Sequence, residues 1–447
     1  MPEPSSWPYE VRCPLHRSIP FNERERAILD HPLVQRLRAI SQLGFAHLVY
    51  PGATHTRFSH ALGVMHLAGR TFERIASGSG GTAGLPLGPE GLHYCRQVLR
   101  FAGLLHDAGH LPFSHSFEPL LPAKQDIALP RHWYQPTDWR GPAHHEDLSV
   151  AVVHALAADS PALLSATEAQ DAAALIHGQI APSAYLTALG GAPERNPYPL
   201  LKQIISGEID ADRMDYLPRD AHFAGVTYGF FDLHRLIESL SSSETARGLA
   251  LTLDQDALFT YENFLMARFH MAMQVYFHKT LLPFEYYLER SVREGEIALP
   301  YDGTIASFLR AREDVLMGAL LAARERRWAG NIVERRPAAR LMRLEGDGAD
   351  GLRKQALAAL ARAGIQPIHI RAERRLSTLG AEAADDAPIL VAENMLGSRR
   401  FRPLREASLL LRQYNQNFVI ERIYCDPADE RAAVQALRKE LGTELAR

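Results

Sequence analysis

Apolar residues return every three or four positions along most of the chain as far as about residue 327, and this spacing predicts a succession of amphipathic helices. Residues 11–21 read as extended or turn structure, and Glu23 to Leu29 as a short helix. Asp30 is placed to cap a second helix, with Pro32 in its first turn and Leu33, Leu37, Ile40 and Leu43 at helical spacing. The turn from Tyr50 to His60 opens a third helix whose buried face is Leu62, Met65, Ala68 and Phe72. Residues 78–91, rich in Gly and Ser, read as a flexible linker. Beyond them Leu92, Cys95, Leu99, Ala102 and Leu105 line a fourth helix. Residues 121–142 are a Pro- and Trp-bearing loop, another helix opens at His144–Ser149, and 159–200 is Ala-rich, Pro-broken and without recognisable chemistry. Residues 208–222 gather charge around Ile209, Met214 and Leu217. Spacing by four puts Asp212, Tyr216 and Asp220 on one helical face, which Pro218 distorts. A long helical pattern runs from Asp254 to about Glu294, broken near Pro283, and residues 303–327 form a further amphipathic helix.

After Trp328 the pattern changes. Short strand-like runs lie near 340–344, 367–370, 389–392, 408–411 and 418–424, with helical segments at 352–363 and 427–441. The predicted architecture is mainly α. A helical domain covers residues 1–330, with its core at about 30–240, and a small α+β appendage covers 331–447, the boundary falling at Arg335-Arg336-Pro337. Arg324, Arg326, Arg327, Arg335, Arg336 and Arg340 cluster at the junction. They read as a solvated linker or as a nucleotide or inter-subunit site.

Composition narrows the function classes. The net charge of −3 offers no global field for nucleic acid or an acidic membrane, so an anionic ligand must be held by local arginines and lysines. Three cysteines without metal spacing suggest a reducing compartment and no disulfide framework. No secretion signal and no apolar run near the ~20 residues of a membrane span are visible, which makes the cytoplasm the expected location.

The chemistry concentrates in Leu104-Leu105-His106-Asp107-Ala108-Gly109-His110-Leu111-Pro112-Phe113-Ser114-His115, three histidines and an aspartate directly behind an apolar helical run. Imidazole and carboxylate are the mixed ligands that borderline divalent metals accept. His60 and Arg57 sit at the start of the third helix. A lone histidine there would ordinarily be a cap or a surface residue, and Glu146 and Asp147 would ordinarily be first-turn acids that suit the helix dipole.

Together these pieces form a pattern of His, His-Asp and a distant Asp that resembles the HD-domain phosphohydrolases. The match extends to Gln42-Leu43-Gly44, Tyr50-Pro51-Gly52-Ala53-x-His55-x-Arg57-Phe58-x-His60-x-Leu62-Gly63, His106-Asp107-x-Gly109-His110-x-Pro112-Phe113-Ser114-His115, His145-Glu146 and Asp212-Arg213-x-Asp215-Tyr216-x-x-Arg219-Asp220. These blocks, in this order, resemble the deoxynucleoside triphosphate triphosphohydrolases, the group of the dGTPase-type enzymes and the SAM-and-HD-domain protein, over residues 10 to 330.

The resemblance implies a helical HD-domain fold and a divalent metal (Mn, Mg, Fe, Co, Ni or Zn) on His60, His106, Asp107 and Asp212. It implies catalytic roles for His110, His115, Glu118 and His145, which would orient the nucleophile, bind phosphate or protonate the leaving oxygen, with Glu118 setting an imidazole tautomer. Arg57, Arg213 and Arg268 match phosphate-contacting positions, and Gln42, Leu43, Tyr216, Asp220 and Tyr276 match the sugar pocket. The implied reaction is attack of water on the α-phosphorus, giving deoxynucleoside and inorganic triphosphate.

The resemblance also implies a homo-oligomer, a dimer or tetramer, with an allosteric nucleotide between subunits. Asp30, Gln35, Arg38 and Lys279 match that regulatory site, whereas the family's Asp-Pro-x-His-Gly reads Cys13-Pro14-Leu15-His16-Arg17 here, a departure from GTP activation. Nucleic acid is not indicated as a partner. Two other readings stay open: an HD-type phosphatase or phosphodiesterase acting on nucleoside monophosphates, cyclic nucleotides or single-stranded nucleic acid, and a non-catalytic nucleotide sensor.

Overall fold

The computed structural model describes residues 7–78, 84–345, 349–375, 377, 388–395, 398–414 and 417–442. The chain is mainly helical. At its centre the helices Arg57–Ser77 and Pro89–Leu105 pack along one another, and Ala211–Ala224 lies against the first of them. Leu62, Met65, Ala68 and Phe72 of the first, and Cys95, Leu99, Ala102 and Leu105 of the second, are all buried, so the helical periodicity is the core face. Pro89 occupies the first turn of its helix, where its missing N–H costs nothing. Asp210 caps Ala211–Ala224 by accepting from the Arg213 amide (2.8 Å), and the helix continues through Pro218 to end at Gly225, φ 69°. Residues 9–21 form an antiparallel hairpin of Tyr9–Cys13 and Arg17–Phe21.

Several elements differ from expectation. The helix Glu23–Asp30 ends with Asp30 inside it, and the cap of the next helix is His31, whose Nδ1 accepts from the Leu33 amide. A residue before proline is pushed out of the α region, so the first helix must stop at Asp30 and His31 takes the capping place. The second helix is only Pro32–Gln35, followed by a 3-10 turn Arg36–Ala39, and Leu43 lies beyond both. In the expected linker, residues 79–83 lie outside the described residues, but Leu85 and Leu87 are buried against the body. The Ala-rich span holds the helices Ala166–Ile176 and Ala184–Ala188 and the start of Tyr198–Ser206.

The single helix expected over 303–327 is two, Ile305–Arg310 and Glu313–Ala322. At the break between them the Ala311 carbonyl accepts from Arg36 (2.7 Å). The strand expected at 408–411 is helical, Leu404–Ala407 followed by Leu409–Tyr414. Leu404, Ala407 and Leu411 recur at helical spacing and join the main core, which decides the conformation.

Among the described residues two larger sheets stand beside the helices. One joins the unforeseen hairpin Leu240–Thr245 and Gly248–Asp254 to Leu390–Met395 and Ser398–Pro403; Leu253 is in parallel register with Val391. The C-terminal residues thus complete a sheet begun in the helical part, and Ile389 and Val391 belong to the main core. The other sheet has Asn417–Cys425 between Ala339–Leu344 and Ile368–Arg375, all antiparallel. It carries the helices Ala349–Arg362 and Glu430–Leu441 over a separate small core that includes Leu341, Leu360, Ile423 and Leu437.

Candidate metal centre and catalytic pocket

His60 stands in the first turn of Arg57–Ser77 and is completely buried. His106 is the residue at which Pro89–Leu105 ends, and Asp107 follows in the turn. Asp212 is in the first turn of Ala211–Ala224. The packing of these three helices brings the four side chains together. His60 Nε2 lies 3.0 Å from Asp212 Oδ1 and 3.6 Å from Asp107 Oδ2, and His106 Nε2 lies 3.4 Å from Asp107 Oδ1 and 3.6 Å from Asp212 Oδ1. Ligand atoms of His60, His106 and Asp212 all lie within 4.8 Å of one another.

Both rings are oriented from behind. His106 Nδ1 is 2.9 Å from the Gly103 carbonyl, and His60 Nδ1 is 2.7 Å from Asp215 Oδ2. A proton on each Nδ1 leaves the Nε2 lone pair for a metal. Both Nε2 atoms are buried and, among the described residues, neither makes a well-formed hydrogen bond. Buried polar atoms left in this way are costly unless something satisfies them, and two imidazoles with two carboxylates suit a divalent cation. Burial works against a charged His60 ring, but the neighbouring carboxylates of Asp212 and Asp215 lift its pKa to about 10. Burial likewise opposes ionisation of Asp212, and the His106 and His60 rings outweigh it and hold its carboxyl below the usual range.

A second group adjoins the first through Asp107. His110 Nε2 is 3.3 Å from Asp107 Oδ1, and the His110 and His145 rings stack with centroids 4.0 Å apart. His145 Nδ1 contacts Glu118 Oε1 closely. Burial opposes charge on His145, but Glu118 together with Glu146 raises its pKa, whereas burial and the neighbouring Arg57 keep His110 well below the ordinary histidine value. The close approach depends on Gly109, because a Cβ there would collide with the His145 carbonyl and the Ser149 amide. Ser149 Oγ ties the two segments, accepting from the Gly109 amide (2.9 Å) and donating to the His106 carbonyl (2.6 Å).

The residues matched to substrate contacts are distributed around this centre. Arg57 pairs with Asp107 and donates from Nε to Ser114 Oγ (2.9 Å); Gln42 is buried beside it, and Leu43 is half-buried against the core. Burial raises the cost of the Asp107 charge, and Arg57 leads the groups that keep it ionised well below the usual carboxylate range. Tyr216 and Tyr276 meet edge to face at 6.1 Å. Tyr276 OH donates to Asp220 Oδ2 (2.8 Å), and His55 Nε2 is 2.8 Å from the other Asp220 oxygen. Tyr276 ends a π-helical turn, Ala272–Tyr276, a local unwinding often found at functional sites. Arg213 turns to Asp210 and the Gly207 carbonyl, and Arg268 lies 3.3 Å from Glu208. His115 lies on the 3-10 turn Ser114–Leu120, and its side chain is outside the described part of the structure.

Supporting residues that the sequence reading left without a role are Asp215, Arg219, His16, His55, Arg36 and Glu313. Asp215, Arg219 and His55 stand inside the motif blocks, and the spacing of Asp212, Asp215 and Arg219 by three and four was a usable helical signal. Arg36 and Glu313 gave no such signal. Arg36 donates to the carbonyls of Ala108 and His110 from one side of the loop, while Glu313 accepts from the Phe113 (3.0 Å) and Ser41 (2.8 Å) amides on the other. Between them Phe113 and Ser114 both take positive φ, 60° and 56°.

Comparison with known proteins agrees with this geometry. The family model described as HD domain matches residues 57–220. An uncharacterized protein of Methanocaldococcus jannaschii is 29% identical over 316 residues, 69% of this chain and 56% of its own. The deoxynucleoside triphosphate triphosphohydrolase SAMHD1 of Gallus gallus is 34% identical over 241 residues, 50% of this chain and 35% of its own. The chain spans about half the length of the curated relatives it matches. The crystal structure of a hypothetical protein from Aquifex aeolicus is similar with a TM-score of 0.73 at 28% identity, covering 96% of this chain and 99% of that one.

Proposed function

Residues 57–220 match the HD domain, and on that premise we propose that the chain is an HD-domain phosphohydrolase that hydrolyses deoxynucleoside triphosphates to deoxynucleoside and inorganic triphosphate. The observation that carries this reading is the sharing of Asp107 between two groups of donors, His60, His106 and Asp212 on one side and His110 with His145 on the other. A divalent cation held by His60, His106, Asp107 and Asp212 would supply Lewis acidity at phosphorus.

The chain's own side chains account for the rest. His145, braced by Glu118, holds a proton that can pass to the departing 5′ oxygen as the bond from the α-phosphorus breaks. His110, stacked on it, orients the attacking water. Arg57, and Arg213 and Arg268 once they exchange their present carboxylate partners, supply the forked donors that a triphosphate requires. The Tyr216–Tyr276 pair forms a wall for the sugar, and Asp220 accepts from its 3′ hydroxyl. SAMHD1 relatives supply a named precedent for the substrate. A homo-oligomer with a regulatory nucleotide completes the reading. No helix among the described residues is long and apolar enough to cross a membrane.

The test is incubation with each of the four deoxynucleoside triphosphates, singly and mixed, with Mg²⁺, Mn²⁺ or Co²⁺, followed by product separation. Deoxynucleoside with intact triphosphate is the expected result, and a difference between single and mixed substrates reports activation by a second nucleotide. Release of monophosphate, diphosphate or no product with every metal would overturn the substrate assignment and move attention to phosphodiesters and monophosphates.

A further inference from the structure

The two histidines of the metal centre are oriented by different devices. His106 leans on a backbone carbonyl, which no substitution removes. His60 leans on the carboxylate of Asp215, and that carboxylate is held in turn by other side chains. Arg219 donates to both of its oxygens, Nε to Oδ2 at 2.7 Å and Nη2 to Oδ1 at 2.8 Å. His16 Nε2, from the turn of the hairpin Tyr9–Phe21, is 2.6 Å from Oδ1. Arg219 Nη2 also reaches Cys13 Sγ on the same hairpin, 3.5 Å away. The side chains of His60, Asp215 and Arg219 are 0% exposed and that of His16 4%, so water supports none of them.

The space for this array is reserved in the sequence. Gly63 follows His60 by three residues, and a Cβ there would collide with Asp215 Oδ1 and Arg219 Nη2. A buried carboxylate is stable only when paired and fully hydrogen-bonded, and four donors saturate this one. A carboxylate behind a ligating imidazole fixes its tautomer and raises its basicity.

We propose that Asp215, Arg219 and His16 are positioning residues of the metal centre. Asp215 keeps the proton of His60 on Nδ1 and turns Nε2 toward the cation, Arg219 holds Asp215, and His16 extends that support to the N-terminal hairpin, which thereby becomes part of the metal centre. The proposal rests on the metal site named under the proposed function and is independent of the substrate.

Co²⁺ titration of the full chain tests it, with affinity read from the visible absorption band and metal content measured after dialysis. Asp215→Asn is expected to bind Co²⁺ about 10- to 100-fold more weakly and to shift the band, because the amide can present its NH₂ to His60 and force the wrong tautomer. His16→Ala is expected to weaken binding in the same direction. His16→Gln, which retains a donor toward Asp215 Oδ1, is expected to restore it. Amide exchange across residues 9–21 should slow when Co²⁺ binds the wild type and should not respond in His16→Ala. Wild-type affinity and band in both Asp215→Asn and His16→Ala would overturn the proposal. Should Asp215→Asn fail to fold, with Arg219 left buried and uncompensated, the His16→Ala and His16→Gln pair decides. Co²⁺ binding that survives His106→Ala with Asp107→Ala would overturn the metal site itself, and this proposal with it.

Discussion

The rings of His110 and His145 lie almost parallel, 19° between their planes and 4.0 Å between their centroids. They come from separate elements, the turn after Pro89–Leu105 and the first turn of His145–Asp159, and a glycine at 109 is what lets the two backbones close. Stacked imidazoles are compatible when one is neutral and the other charged. Burial and Arg57 favour the neutral form of His110, and Glu118 favours the charged form of His145.

That division gives a pH signature. His145 has its pKa raised against the pull of burial, chiefly by Glu118, so it keeps its proton above the ordinary histidine range. Glu118→Gln removes the support, and the proton is then lost at lower pH. The alkaline limb of the kcat profile should move to lower pH and kcat should fall by about 10²- to 10⁴-fold, the usual worth of a positioned acid or base. Metal content should be unchanged. Steady-state kinetics over pH 5 to 10 with metal analysis checks this, and an unmoved alkaline limb would reject the role of Glu118.

Metal affinity should rise with pH. Without a cation His60 is protonated up to about 10, so a metal must displace that proton and its binding releases acid. Titration calorimetry in buffers of different ionisation enthalpy should show proton release at neutral pH and a progressively weaker site in acid. Removing the metal with a chelator should lower Tm; a cation at 1,000 times its Kd contributes about 4 kcal/mol. Equal Tm values for loaded and chelated protein would contradict a tight native-state site.

Arg36→Ala should be strongly destabilising. The buried guanidinium, whose pKa burial lowers to about 9, serves carbonyls of Ala311, Ala108 and His110 and lies 3.8 Å above the Phe308 ring. Each buried acceptor left unmade costs about 1–3 kcal/mol. Thermal unfolding monitored by circular dichroism should show a fall in Tm of several degrees, with kcat reduced in the folded fraction. A change within 1 °C would remove Arg36 from the support of the His110 loop.

Tyr276→Phe deletes the hydroxyl that donates to Asp220 while keeping the ring against Tyr216. One such bond contributes about 0.5–1.5 kcal/mol. KM for a deoxynucleoside triphosphate should rise a few-fold with kcat little changed. Tyr216→Ala should also improve use of ribonucleoside triphosphates relative to their deoxy counterparts. Competition assays that show the ribonucleotide preference unmoved would exclude Tyr216 from the sugar wall.

Local pattern and tertiary structure contributed differently. Periodicity and capping chemistry were enough to mark the helices that carry His60, His106, His145 and Asp212, because a helix buries residues three and four apart whatever it packs on. The family blocks singled out His60, His106, Asp107 and Asp212, and His110 with His145, and the fold brings each set together. The hairpin at 240–254 and its parallel partner at 390–395 were not legible, since their pairing joins residues about 140 positions apart and leaves no local trace. Residues 408–411 looked like a strand because a short apolar run satisfies both periods, and burial of Leu404, Ala407 and Leu411 in the main core settled it as helix. The same limit hid the supporting residues. Ala311 and the loop at 108–110 are distant in sequence from Arg36, Glu313 caps a strained turn 200 residues away, and His16 reaches Asp215 across 199. The sequence by itself determined which histidines and carboxylates were available as candidates for binding a metal and moving a proton. Only the tertiary structure decided which buried donors hold them in place, because those hydrogen bonds exist only after water has been excluded from between segments that meet on folding.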